Sequence, residues 1–200
     1  MKNKILKSAA PAVILLAGII ETEAQITTWN VDKAHSSVKF NVSHLVISEV
    51  EGSFKDYEGI ITSGKEDFSD AVINFSVNAS SINTDNEMRD NHLKSDDFFN
   101  SVKYPSIIFK STSFTKVSGN KYQLVGDLTI RDVTKRVTFD VEYGGSANDG
   151  YGNTKAGFKA TSAINRFDYG LKWNAITEAG GMTVGSNVKL ILNLQFARKS

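Results

Sequence analysis

VKLILNLQF, residues 188–196, decides how the rest of the chain is read. Val188, Leu190, Leu192, Leu194 and Phe196 fall on every second position, the period that places side chains on one face of a β-strand, while Lys189, Asn193 and Gln195 fall on the other. A strand written this way is dry on one face and wet on the other. The alternation recurs upstream. Val38, Phe40 and Val42 alternate with Lys39, Asn41 and Ser43; Ile73, Phe75 and Val77 with Asn74, Ser76 and Asn78. Tyr122, Leu124, Leu128 and Ile130 share a face, with Val125 as an exception, and so do Val137, Phe139, Val141 and Tyr143. Ala156, Phe158, Ala160 and Ile164 continue the pattern. Two further strands, over 52–62 and 107–117, have broken phase. Phe109 and Phe114 cannot share a face in a regular strand, so a bulge or bend is expected between them. Gly64-Lys65, Gly119-Asn120, Gly144-Gly145, Asn148-Asp149-Gly150 and Gly180-Gly181 punctuate the runs as turns. The reading is all-β, with about eight antiparallel strands, and no repeat or linker divides it.

One stretch breaks the strand code: SINTDNEMRDNHLKSDDFFNSVKYPSIIF, residues 81–109. Thr84-Asp85-Asn86-Glu87 fits a capping box, and Asp85 and Glu87 place negative charge at the positive end of a helix dipole. Ser95-Asp96-Asp97 offers a second helix start before Phe98-Phe99, and Pro105 pushes Tyr104 toward an extended conformation. The expectation is a short helical insertion after the third strand. One-sided strands must bury their dry faces, either as a sandwich or as a closed barrel, and only closure removes the exposed edges. An eight-stranded barrel is just wide enough to fill with side chains or to hold one slender ligand.

Lys2, Lys4 and Lys7, the apolar run Ala9 to Ile20 and the small residues of Thr22-Glu23-Ala24 read as a signal peptide over 1–24, cut after Ala24. The run is shorter than the roughly 20 residues a membrane-spanning helix needs. Domain 25–200 would then act in the periplasm or as a secreted protein. The chain of 200 residues carries a net charge of +1, and losing three Lys and two Glu brings it to zero. That balance argues against nucleic acid and against electrostatic docking to anionic lipid. No cysteine is present, so burial and hydrogen bonds alone hold the fold.

The three histidines, His35, His44 and His92, lie in separate segments at no metal-ligand spacing, so no metal is expected. No nucleophile or phosphate-loop motif is present. Asp90 and His92 form the one candidate acid/base pair, for an enzyme acting on a small amphiphile. The competing reading makes Arg89, Asp90 and His92 a polar network that pins the insert to the rim. Arg166 and Asp168 are expected to pair with neighbours there. Trp29, Tyr57, Tyr169 and Trp173 are large rings suited to lining a cavity.

Several linked motifs resemble the YceI-like polyisoprenoid-binding family. They are Trp29-Asn30-Val31-Asp32, His35-Ser36, Phe40-x-Val42-x-His44, Ser81-Ile82-x-Thr84, Arg89-Asp90-x-His92-Leu93, Ser95-x-Asp97-Phe98-Phe99 and Tyr104-Pro105-x-Ile107-x-Phe109. Gly126 to Arg131, Val133-Thr134-Lys135 and Asn165-Arg166-x-Asp168-Tyr169-Gly170 complete the set. Asp132 departs from the usual Gly, but Asp tolerates a left-handed turn, so the hairpin is expected to survive. The resemblance implies an exported, lipocalin-like eight-stranded antiparallel barrel that carries or stores a polyisoprenoid or isoprenoid-quinone lipid without catalysis. No cofactor beyond that lipid is implied. Transient membrane contact and a homodimer are left open as partners. On this reading Phe40, Phe75, Leu124, Leu128, Phe139, Phe158, Leu190 and Leu192 contact the tail. The insert and the Asn165–Trp173 loop, with Trp173 as a ligand residue, meet the head.

Overall fold

The computed structural model of the chain describes residues 25–175 and 182–199; the expected signal peptide lies outside them. The described strands are β1 (Thr27–Val31), β2 (Ser37–His44), β3 (Ser48–Phe54), β4 (Tyr57–Ser63), β5 (Val72–Asn78) and β6 (Ile82–Asn83). After helix α1 (Glu87–Lys94) come β7 (Ser106–Ser118), β8 (Lys121–Ile130), β9 (Val133–Asn148), β10 (Asn153–Asn165) and β11 (Val184–Lys199). Every pairing is antiparallel, in the order β1-β4-β5-β7-β8-β9-β10-β11, and β11 returns to β1 through Asn30 opposite Ala197. The sheet therefore closes on itself. The sandwich alternative is gone.

Three staves of the barrel are broken, which is why more strands are seen than the eight expected. A 3-10 turn at Lys33–His35 separates β1 from β2, and β2 continues the pairing along β11. Lys55 and Asp56 separate β3 from β4, and a 3-10 turn at Ala79–Ser81 separates β5 from β6. At this end β3 pairs with β6, and β6 has no pairing to β7. The insert lies against that unpaired wall. Thr84 donates from its N–H and its hydroxyl to Asp90 (2.9 and 2.6 Å), and Arg89 donates to the Thr84 hydroxyl and carbonyl (both 2.7 Å).

The insert departs from its sequence reading in two ways. Asn86, not Thr84, caps α1, accepting from the Arg89 N–H, because the Thr84 hydroxyl is committed to Asp90. Ser95 closes α1 instead of opening a second helix: its hydroxyl donates to the His92 carbonyl at 2.7 Å and the following residues run in turns. The bulge falls where the two phenylalanines required it, between Ser111 and Ser113, and both Phe109 and Phe114 are buried. The β8–β9 hairpin is kept, but Arg131 (φ +57°) holds the left-handed position, not Asp132. Arg131 is fixed there by donating to the Asp96 and Phe98 carbonyls and to the Asp96 carboxylate.

One end of the barrel is stoppered. Phe68, on the loop joining β4 to β5, lies 5.2 Å from Trp29, 5.5 Å from Tyr143 and 5.2 Å from Phe158 between ring centroids. Asp70 ties that loop down, accepting from the Ser63 hydroxyl and from the Gly64 and Lys65 N–H groups. Tyr122 adds a hydrogen bond to the Asp67 carbonyl at 2.7 Å.

Candidate functional site

Above the stopper the inner side chains do not meet across the axis. They enclose a bore of about 190 Å³ whose exposed wall is hydrocarbon. Phe40, Phe75, Leu124, Leu128, Phe139, Leu190 and Leu192, all expected to contact a tail, line it. Phe158 does not: its ring sits in the stopper, against Phe68, Tyr143, Phe114 and Phe196. Alternation alone reports which face a residue takes, not which end of the barrel. Trp29 and Tyr57 also lie away from the bore, Trp29 on Phe68 and Tyr57 stacked on Phe75, and Tyr169 is buried with burial pushing its hydroxyl up to about 12.

Three glycines on the inner face keep the bore hollow. Gly52 lies under the Phe40 ring, Gly59 under Phe75 and Gly126 under Phe109, and a β-carbon at any of the three would collide with that ring. The phenylalanines can lie along the wall instead of reaching across it. Leu93, Phe98 and Phe99 of the insert also line the bore, so the insert supplies wall as well as rim. The adjacent Phe98-Phe99 pair was the signal for this, since two neighbouring large rings are seldom left in water.

Beyond Phe40, Val42, Leu93, Phe98 and Val184, which line both spaces, the bore opens into a wider chamber of about 430 Å³. Ser43, His44, Thr84, Asn86, Arg89, His92 and Trp173 lie around it, although the wall exposed to the space is almost entirely hydrocarbon. Trp173 thus meets the chamber and not the bore. Its ring stands edge-on to His92 at 4.9 Å, and Phe98 lies 5.6 Å away. Asp90 and His92 are not a pair: Asp90 accepts from Thr84, whereas His92 Nε2 lies 2.9 Å from an Asp97 carboxylate oxygen. They serve two separate local networks of the insert. Among the described residues no cluster of three or more His, Cys, Asp or Glu could hold a metal.

Arg166 finds its neighbours among backbone carbonyls. It is buried, at 3 % exposure, and donates to the carbonyls of Leu171 (2.5 Å), Trp173 (2.8 Å), Gly185 (2.8 Å) and Val184 (3.0 Å). Burial pushes its pKa down. The guanidinium is spent on these oxygens, so Arg166 offers the bore only its hydrocarbon stem while clamping the segment after Gly170 to the start of β11.

The YceI-like domain profile matches residues 29–196, nearly all of the described barrel. The chain belongs to the YceI-like family. Among curated proteins, UPF0312 protein SA2479 of Staphylococcus aureus (strain N315) is 41 % identical over 173 residues, 86 % of this chain and 98 % of that one. Among solved structures, the Campylobacter jejuni YceI protein is 33 % identical with a TM-score of 0.68, covering 84 % of this chain and 96 % of that one. A polyisoprenoid binding domain from Saccharophagus degradans shares the fold at 13 % identity and a TM-score of 0.61, over 85 % of this chain and 98 % of that one. Within this YceI-like barrel, the bore and the chamber adjoin at the insert and share five lining residues.

Proposed function

We propose that this protein binds an isoprenoid lipid, a polyisoprenoid or an isoprenoid quinone, and carries or stores it without chemical change. The observation that carries the reading is a pair of adjoining hydrocarbon-walled spaces, a narrow bore and a larger chamber beside the insert, that share Phe40, Val42, Leu93, Phe98 and Val184. Small-molecule sites usually run to about 300–1,000 Å³; the bore is below that range and the chamber within it. The pair suits a slender chain with a bulkier head. The polyisoprenoid-binding relative in fold supports the same class of cargo. An exported address, with cleavage after Ala24, belongs to the same proposal, and the mass of the mature chain tests it.

Affinity comes from fit more than from hydrophobicity as such. Each buried CH2 is worth about 0.8 kcal/mol relative to water, but a free polyisoprenoid rests in a membrane, so most of that gain cancels. Solvent extraction of purified protein followed by mass spectrometry should recover an isoprenoid lipid. Leu128→Trp and Phe139→Trp, which fill the bore, should abolish recovery while the far-ultraviolet circular dichroism is unchanged. Full recovery from both folded variants would place the lipid elsewhere.

A further inference from the structure

The turn between β2 and β3 carries three apolar residues in a row at its tip, Leu45, Val46 and Ile47. Val46 and Ile47 are 77 % and 86 % exposed. Leu45 and Val46 hold φ of +53° and +66°, the left-handed region where Gly or Asn is the ordinary choice and a β-branched residue is strained. Hairpin closure does not call for these side chains, since Asn-Gly would make the turn with less strain. Ser43 and His44, immediately before the tip, line the mouth chamber, and so does Met88 of α1, itself 84 % exposed. The apolar tip therefore stands on the rim of the opening.

We propose that this rim is a membrane-docking surface, with Leu45, Val46, Ile47 and Met88 entering the surface of an electrically neutral bilayer. The proposal rests on the reading that the bore takes a lipid chain: a mouth seated on lipid lets the chain pass without crossing water. Size argues against a protein partner, because a stable interface takes about 20–30 residues a side and the tip offers three. Charge argues against an anionic surface. Glu49 and Glu87 flank the apolar residues, Lys39 is paired with Glu51 at 2.8 Å, and the Arg89 side chain donates to Thr84.

Co-sedimentation of the purified protein with phosphatidylcholine vesicles, at low and high salt, tests this. Wild type should sediment with them equally at both salts, and added phosphatidylglycerol should not help. Val46→Asn with Ile47→Ser relieves the turn while removing its apolar tip, and should weaken vesicle binding about tenfold or more. Met88→Gln, on a separate element, should weaken it to a smaller degree. Lipid extracted from the Val46→Asn, Ile47→Ser variant should match wild type, because neither residue lines the bore or the chamber. Equal sedimentation of wild type and the double variant overturns the proposal, as does binding that requires phosphatidylglycerol. A change in light-scattering mass without a change in vesicle binding also overturns it, assigning the rim to contact between copies. Vesicle binding lost in the variants of a protein that yields no lipid on extraction upholds the docking surface and removes the carrier reading instead.

Discussion

Arg166 is a buried cation whose hydrogen-bond partners among the described residues are all backbone carbonyls. Replacing it with Met strands four carbonyl oxygens, and each buried unpaired polar group costs about 1–3 kcal/mol. Arg166→Met should therefore lower stability to urea by about 3 kcal/mol or more. Arg166→Lys should recover little, because an ammonium cannot reproduce the planar fork. Wild-type stability in Arg166→Met would show that the clamp contributes nothing. Asp32 makes a second, pH-dependent contribution at the break between β1 and β2. Burial pushes its carboxyl up, but hydrogen bonds from Lys155, His35 and Gln195 and the charge of Lys155 outweigh that and hold it at about 2. A folded pKa below the unfolded 3.8 gives stability that is complete above pH 4 and lost as pH falls toward 2. The contribution is about 1–2 kcal/mol once solvent screening is allowed for. Asp32→Asn should lower the melting temperature at pH 7 and flatten its dependence between about pH 4 and 2.

At the scale of the elements, the pairing of glycine with phenylalanine across neighbouring strands sets the width of the bore. Gly59→Ala or Gly126→Ala would push Phe75 or Phe109 off the wall and into the space a ligand needs. Overpacking of this kind costs about 1–3 kcal/mol. Lipid recovery should fall several-fold in Gly59→Ala, and Phe75→Leu in the same chain should restore it; recovery unchanged by Gly59→Ala would mean that the ring does not border the ligand. These glycines were invisible to a reading by alternation, which scores only where side chains are apolar. The bulge in β7 was legible, because Phe109 and Phe114 five positions apart demanded it. The cap of α1 was not, since Thr84 and Asn86 are both capping residue types and tertiary contact between Thr84 and Asp90 decided between them.

For the whole molecule, period-two patterning settles the strands and their dry faces, while closure depends on where β11 ends relative to β1, a register that patterning does not encode. The same gap explains Phe158, which was correctly placed indoors but assigned to the wrong storey. The sequence places Arg166 among neighbours at the rim without naming them; the backbone turn at Gly170, with φ of +76°, makes those neighbours carbonyls. The stopper built around Phe68 has a final bearing on traffic. For a bore that takes lipid as proposed, an end closed in this way would keep cargo from being threaded through or displaced from behind. An occupant would then back out before a successor enters, so exchange would be sequential, and an abundance of waiting lipid would have no leverage over the departure step. Any tail too long for the blind passage would leave its surplus trailing outside.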